Sequence, residues 1–285
     1  MTSDLSRLLP ATLPPGRLVG GEDGPEPLLW ISDAPAPAGL WQQLHRAHPQ
    51  SGLWPLLFVP LGDGADYRPW LSGELFPASA SDPTLYDPDA LLRRWWQQLG
   101  GTGEDSTGED STGEDAPGED GPEGPLDAED AAELRAALAP FGPAWPGTAP
   151  AAAVPDGAPG VEARGLADVL LSVRDARLGL VRAGSGAEAL AACGWSGPLN
   201  HEDDTAKIAA VLADWERRFG AQVVQVGFDT LELSVAVPPA TLAEALPLAA
   251  EHTAFCPDLV FQGTGTLTAY AEGLVASYQW SFWWD

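Results

Sequence analysis

Hydrophobic and polar positions alternate most clearly near the end of the chain. Four apolar residues stand at every second position of residues 230–237: Leu231, Leu233, Val235 and Val237. A period of two predicts a strand, and the apolar run at residues 223–228 predicts another strand before it. Because Gly227 and Asp229 lie between the two runs, the sequence predicts a β-hairpin. In the last residues, Tyr278, Trp280, Phe282 and Trp284 are expected to share a buried face, with Trp283 facing outward.

Elsewhere the apolar positions recur every three to four residues, which predicts amphipathic helices. The strongest pattern spans residues 208–219, and further helices are predicted at residues 40–48, 88–99, 126–138, 185–190, 241–255 and 267–274. Short strands are predicted at residues 28–31, 54–59 and 178–181. In the second half, the order of strands and helices predicts an α+β domain with a ferredoxin-like (split βαβ) fold and helical insertions. Its last strand should pair beside its first and lie at a sheet edge.

Composition divides the chain into five segments. We predict an irregular N-terminal segment (residues 1–26), a small α/β domain (27–100) and an acidic low-complexity linker (101–125). A short helix with a Pro/Ala/Gly connector (126–160) and the α+β domain (161–285) follow. The linker repeats Thr-Gly-Glu-Asp and has almost no apolar side chain to bury, so it is expected to be disordered.

Charge limits the classes of partner. The chain has 41 acidic and 14 basic residues, a formal net charge of −27, which disfavours nucleic acid and anionic membrane as partners. We also find no apolar run of about 18 residues that would predict a membrane-spanning helix, and no secretion signal at the first residues. The sequence therefore predicts a cytoplasmic protein whose two cysteines, Cys193 and Cys256, are reduced.

The sharpest cluster of candidate chemistry contains Glu251, His252, Cys256 and Asp258. On a continuous helix, His252 and Cys256 would share a face, which suits a thiolate–imidazole pair or two metal ligands. Pro257 ends that helix, so the alternative is a core cysteine and a histidine that bonds a carbonyl group. An orienting group for catalysis would have to come from residues elsewhere in the chain: Asn200, His201 or Asp229. The common phosphate-binding, nucleophile-elbow and zinc-ribbon motifs are missing from the sequence; we expect no cofactor and no metal.

Several phrases of the C-terminal third form a recognisable set. They are Trp215-Glu216-Arg217-Arg218-Phe219-Gly220, Gly227-Phe228-Asp229-Thr230-Leu231, Glu251-His252, Phe255-Cys256-Pro257-Asp258, Tyr270-Ala271 and Trp280-Ser281-Phe282-Trp283-Trp284-Asp285. In this order they resemble a bacterial family catalogued as domain of unknown function 4253, over about residues 178–285. The resemblance implies no particular activity.

Two hypotheses of function follow from the sequence. The first is a non-enzymatic protein that recognises a protein partner, of basic character, through the C-terminal domain. Its candidate binding residues are Asn200, His201, Asp229, Glu251, Asp258, Trp283 and Asp285. The alternative is a thiol-dependent hydrolase or transferase that uses Cys256 and His252. The sequence leaves the oligomeric state open.

Overall fold

A computed structural model describes residues 5–62, 64, 66–77, 80–99 and 128–285. The predicted acidic linker, residues 101–125, lies outside these ranges. The described part contains seven strands: β1 (Gly16–Gly21), β2 (Gly24–Pro35), β3 (Leu53–Phe58), β4 (Arg177–Arg182), β5 (Gln222–Val226), β6 (Thr230–Ser234) and β7 (Gln279–Trp283). Its α-helices are α1 (Leu40–Ser51), α2 (Pro88–Leu99), α3 (Ala128–Ala137), α4 (Ala158–Val173), α5 (Gly186–Cys193), α6 (Thr205–Phe219), α7 (Leu242–Phe255) and α8 (Leu267–Leu274). Short 3₁₀-helices at Leu5–Arg7 and Pro83–Leu85 and a π-helix at Leu259–Thr264 complete the set.

The seven strands form one mixed sheet in the order β1-β2-β4-β3-β5-β6-β7. The β3–β5 pair is parallel, and the other neighbouring strands are antiparallel. The predicted α+β class is therefore confirmed. Strands from the two halves of the chain interleave in the centre of the sheet, so the predicted arrangement of two domains is not confirmed.

The ferredoxin-like order is also not confirmed. That order would place the last strand beside β4, but β2 and β3 flank β4, and β7 pairs with β6 at the sheet edge. The physical reason lies in β3, whose residues Leu53-Trp54-Pro55-Leu56-Leu57-Phe58 are all buried. A strand that is apolar at every position is stable only where both faces of the sheet are covered, and the centre of the sheet offers that place.

Alternate residues of β3 enter two separate cores. Trp54, Leu56 and Phe58 pack on the face covered by α2, α5, α6, α7 and α8. Leu53 and Leu57 pack on the opposite face, against α1 and α4. The sheet thus lies between two helical layers, and no described helix has the length and apolarity needed to cross a membrane.

Some local predictions are wrong. Residues 16–21 form a strand within the segment expected to be irregular, and α4 occupies residues for which no helix was predicted. Tyr278 was expected to share the buried face, but it precedes β7 and is 53% exposed. Trp280, Phe282 and Trp284 are buried as predicted, and Trp283 is half-buried.

Candidate functional site

The carboxylate of Glu251 is fully buried on α7. It accepts hydrogen bonds from Trp215 Nε1 at 2.7 Å, from the main-chain N–H of Ala149 at 2.6 Å, and from both terminal nitrogens of Arg218. Arg218 is itself buried, and it also donates to Asp214 and to the carbonyl of Ala149. Because its partners are internal, Glu251 joins α6, α7 and the segment before α4 and offers no oxygen to a ligand.

His252 is also fully buried, next to Glu251 on α7. Its Nδ1 lies 3.0 Å from the hydroxyl of Tyr270, and its ring packs edge-on against Trp280 with a centroid distance of 4.5 Å. Burial, and secondly the charge of Arg218, lowers the pKa of His252 well below its usual value. The side chain is therefore a neutral imidazole within an aromatic core.

Cys256 does not form the predicted pair with His252. It directly follows α7, where its extended backbone (φ −147°, ψ 87°) leaves the helical path before Pro257. Its thiol is buried and donates to the carbonyl of Trp283 at 2.9 Å. Burial raises the pKa of the thiol to about 12. A nucleophilic cysteine reacts as a thiolate, whereas this sulfur is protonated at neutral pH and shielded from solvent.

The histidines and cysteines do not assemble a metal centre. In the part of the chain that the structure covers, no group of three or more His, Cys, Asp or Glu side chains is arranged to hold a metal ion. His201 packs against the ring of Trp95, with a centroid distance of 5.3 Å, and burial lowers the pKa of its imidazole. Cys193 and Cys256 are both free thiols.

Three of the predicted binding residues meet at the surface. Asn200 Nδ2 donates to the main-chain carbonyl of Asp285, and the N–H of Asp285 donates to Asp258 Oδ2, each at 3.1 Å. Asp229 lies in the turn between β5 and β6, where its main-chain carbonyl accepts a hydrogen bond from the N–H of Trp284, the residue before Asp285. The outward carbonyls of Gln279 and Trp283 on the β7 edge already accept from Ser277 Oγ and Cys256 Sγ. This edge is thus less open to an added strand than the sequence suggested.

An apolar pocket opens beside Asn200. Its volume is about 370 Å³, and its lining is Phe76, Gly194, Ser196, Leu199, Asp203 and Thr205. Leu199 is 59% exposed. Gly194 has a φ of 68°, and a Cβ there would lie 2.2 Å from the main-chain nitrogen of Pro77, so glycine permits the close approach of this segment. Sequence reasoning missed this pocket, although an apolar Leu199 within a Gly- and Pro-rich turn was a visible signal.

The surface around the pocket is acidic. Residues 177–285 contain 13 acidic and 5 basic residues, and 5 − 13 gives a net charge of −8. Three of the basic residues form ion pairs with acidic residues of the same chain: Lys207 with Glu202, Arg217 with Asp214, and Arg218 with Asp214 and Glu251. Within the described ranges, Asp203, Asp258 and Asp285 form no ion pair. We call Phe76, Leu199, Asn200, Asp203, Asp258 and Asp285 together the acidic–apolar surface.

Comparison with protein families gives one assignment. Residues 177–285 match the family model described as Domain of unknown function (DUF4253). The match begins at the first residue of β4 and includes the acidic–apolar surface except for Phe76. No curated protein and no solved structure matches the chain. The match confirms the resemblance inferred from the sequence, and it covers the C-terminal region of the chain.

Proposed function

We propose that this protein is a non-enzymatic, cytoplasmic binding protein that recognises a basic protein partner through the acidic–apolar surface. One observation carries the proposal: the exposed Leu199 and its pocket lie next to carboxylates that have no ion pair in the described part of the chain. Apolar contact at the centre with charged groups around it is the usual composition of a protein interface.

The chemistry of the surface indicates what the partner should offer. The pocket suits one apolar side chain, which would be buried together with Leu199 and Phe76. The carboxylates of Asp203, Asp258 and Asp285 would attract Lys or Arg residues around that side chain. Charge complementarity of this kind mainly increases the association rate and selects against acidic partners.

The alternative, a thiol-dependent hydrolase or transferase, has weaker support. Cys256 would have to leave its hydrogen bond with Trp283, reach solvent and lose its proton before it could attack a substrate. Its thiol donates to Trp283 and not to the imidazole of His252, whose Nδ1 is within bonding distance of the Tyr270 hydroxyl. We therefore favour binding over catalysis.

A labelled peptide with several lysines around one leucine tests the proposal by fluorescence anisotropy. We expect salt-sensitive binding to the native protein, and a loss of roughly tenfold or more for Leu199→Asp because a central apolar contact is typically worth ~2 kcal/mol. Val173→Asp is the matched control, since Val173 is 69% exposed but lies on α4, across the sheet. Asp258→Asn should reduce the salt dependence.

Three results would contradict the proposal. The first is that neither this peptide nor a variant with phenylalanine in place of leucine binds the native protein. The second is equal binding of an acidic peptide with the same leucine. The third is an equal effect of Leu199→Asp and the Val173→Asp control.

A further inference from the structure

A separate cleft opens where β3 and β5 end. Its volume is about 910 Å³, which falls in the range of about 300–1,000 Å³ typical of small-molecule sites. Because β3 and β5 are parallel neighbours, their carboxyl ends meet at one edge of the sheet. Ligands of open α/β sheets bind outside such carboxyl ends. The wall of this cleft includes Tyr67, Arg174, Arg177, Phe228, Asp229 and Thr230.

Two arginines on this wall lack the partners that the chain provides elsewhere. Arg177, the first residue of β4, stacks its guanidinium 4.2 Å above the ring of Tyr67, yet its Nε is buried and has no hydrogen-bond acceptor. Across the described residues, neither Arg174 nor Arg177 forms an ion pair. Nearby Arg68 differs, because it stacks over Phe228 and donates two hydrogen bonds of 2.6 Å to Glu74.

An unpaired guanidinium is unexpected in a chain with 41 acidic and 14 basic residues. A buried donor without an acceptor destabilises the folded protein, and a turn of the Arg177 guanidinium toward a ligand oxygen in the cleft would remove that cost. The planar fork of arginine matches the two oxygens of a carboxylate or phosphate. The arrangement therefore favours an anionic group at Arg177.

The other residues of the cleft wall restrict the part of the ligand that lies beyond its anionic group. Asp175 and Asp229 also line the cleft, and their charges disfavour a ligand with several negative groups. Phe228, which is 37% exposed, offers ring surface for an apolar or planar body, and Thr230 offers a hydroxyl. We propose that this cleft binds a small molecule with one carboxylate or phosphate group, held by Arg177 with support from Arg174. The cleft shares no residue with the acidic–apolar surface.

Calorimetric titration with inorganic phosphate and with propionate, at constant ionic strength, tests the site. At least one of the two anions should bind, and the preferred one identifies the anionic group. Arg177→Gln should weaken that binding roughly tenfold or more, since it removes a charge-assisted contact. Arg182→Gln is the control, because Arg182 is exposed at the opposite end of the same strand and should leave binding unchanged.

A second variant separates binding from folding. If Arg177→Gln unfolds the protein, Arg174→Gln can be used in its place, because Arg174 is an exposed side chain on the same wall. Arg174→Gln should weaken the binding of the anion severalfold. The proposal is overturned if the native protein binds neither anion. It is also overturned if the folded cleft variants bind as well as Arg182→Gln.

Discussion

Glu251→Ala tests whether the buried network between α6 and α7 is a structural element. The variant removes an acceptor that four donors share: Trp215 Nε1, the Ala149 N–H and the two terminal nitrogens of Arg218. Arg218 would stay in the interior, with Asp214 as its remaining carboxylate partner. The indole and the amide would lose their acceptor without gaining access to water.

The structure sets the expected size of the effect. Removing one partner of a buried ion pair typically costs about 3–5 kcal/mol, since the other charge stays buried. Each neutral donor left without an acceptor adds about 1–3 kcal/mol, although such costs are not additive. Because Asp214 still compensates Arg218, we expect Glu251→Ala to lower the free energy of unfolding by about 4 kcal/mol. That is a large part of the ~5–15 kcal/mol of an ordinary domain.

Urea unfolding followed by tryptophan fluorescence measures this change. Glu272→Ala is the control, because Glu272 is exposed on α8 and its loss should change stability by less than about 0.5 kcal/mol. The double variant Glu251→Ala/Arg218→Met should be more stable than Glu251→Ala alone, since it removes the stranded cation. A loss below about 1 kcal/mol for Glu251→Ala, or no recovery in the double variant, would show that the buried network is not a major stabilising element.

Three further predictions concern other buried groups. Burial, and secondly the charge of Arg218, lowers the pKa of His252, so only the unfolded state gains a proton on this imidazole below about pH 6.5. The free energy of unfolding should therefore fall on acidification. His252→Phe should make the slope of that free energy against pH, measured by urea unfolding, shallower by about 1.4 kcal/mol per pH unit. Because burial raises the pKa of Cys256 to about 12, iodoacetamide should modify it only after unfolding, and rapid labelling of the native protein would argue against this. Gly194→Ala and Gly52→Ala both place alanine at positive φ, which should lower the free energy of unfolding by about 1–2 kcal/mol in each variant. Gly194→Ala should cost about 1–3 kcal/mol more because its Cβ meets main chain, and equal losses would contradict this.

Local periodicity predicted most elements, but it did not predict their arrangement. The α6 helix and the β5–β6 hairpin form from neighbouring residues, and both lie where their patterns placed them. The partners of β3 could not be predicted, because a strand with no polar position carries no signal of its register or its neighbours. Its pairing of Leu57 with Gln225 joins residues far apart in the chain. Helix α4 was missed because Gly160 and Gly165 weaken the helical pattern.

The candidate site was predictable only in part. Glu251 and His252 were named from the sequence as candidate site residues, and the structure places both side chains in the core. Their partners, Arg218 and Tyr270, come from other helices, and no spacing rule links them. The contact between Asn200 and Asp285 likewise depends on tertiary structure.

The two proposed sites differ in charge, and this difference separates them experimentally. The carboxylates of the acidic–apolar surface are exposed or half-buried, so added salt should screen their attraction for a basic peptide, over a Debye length of about 8–10 Å near physiological ionic strength. The anion held by Arg177 would sit partly inside the protein, against a buried Nε, where screening is weaker. Raising the salt concentration should therefore weaken the binding of the peptide more steeply than the binding of the small anion. Equal salt slopes would mean that Arg177 binds its anion through solvent, as an ordinary surface charge does.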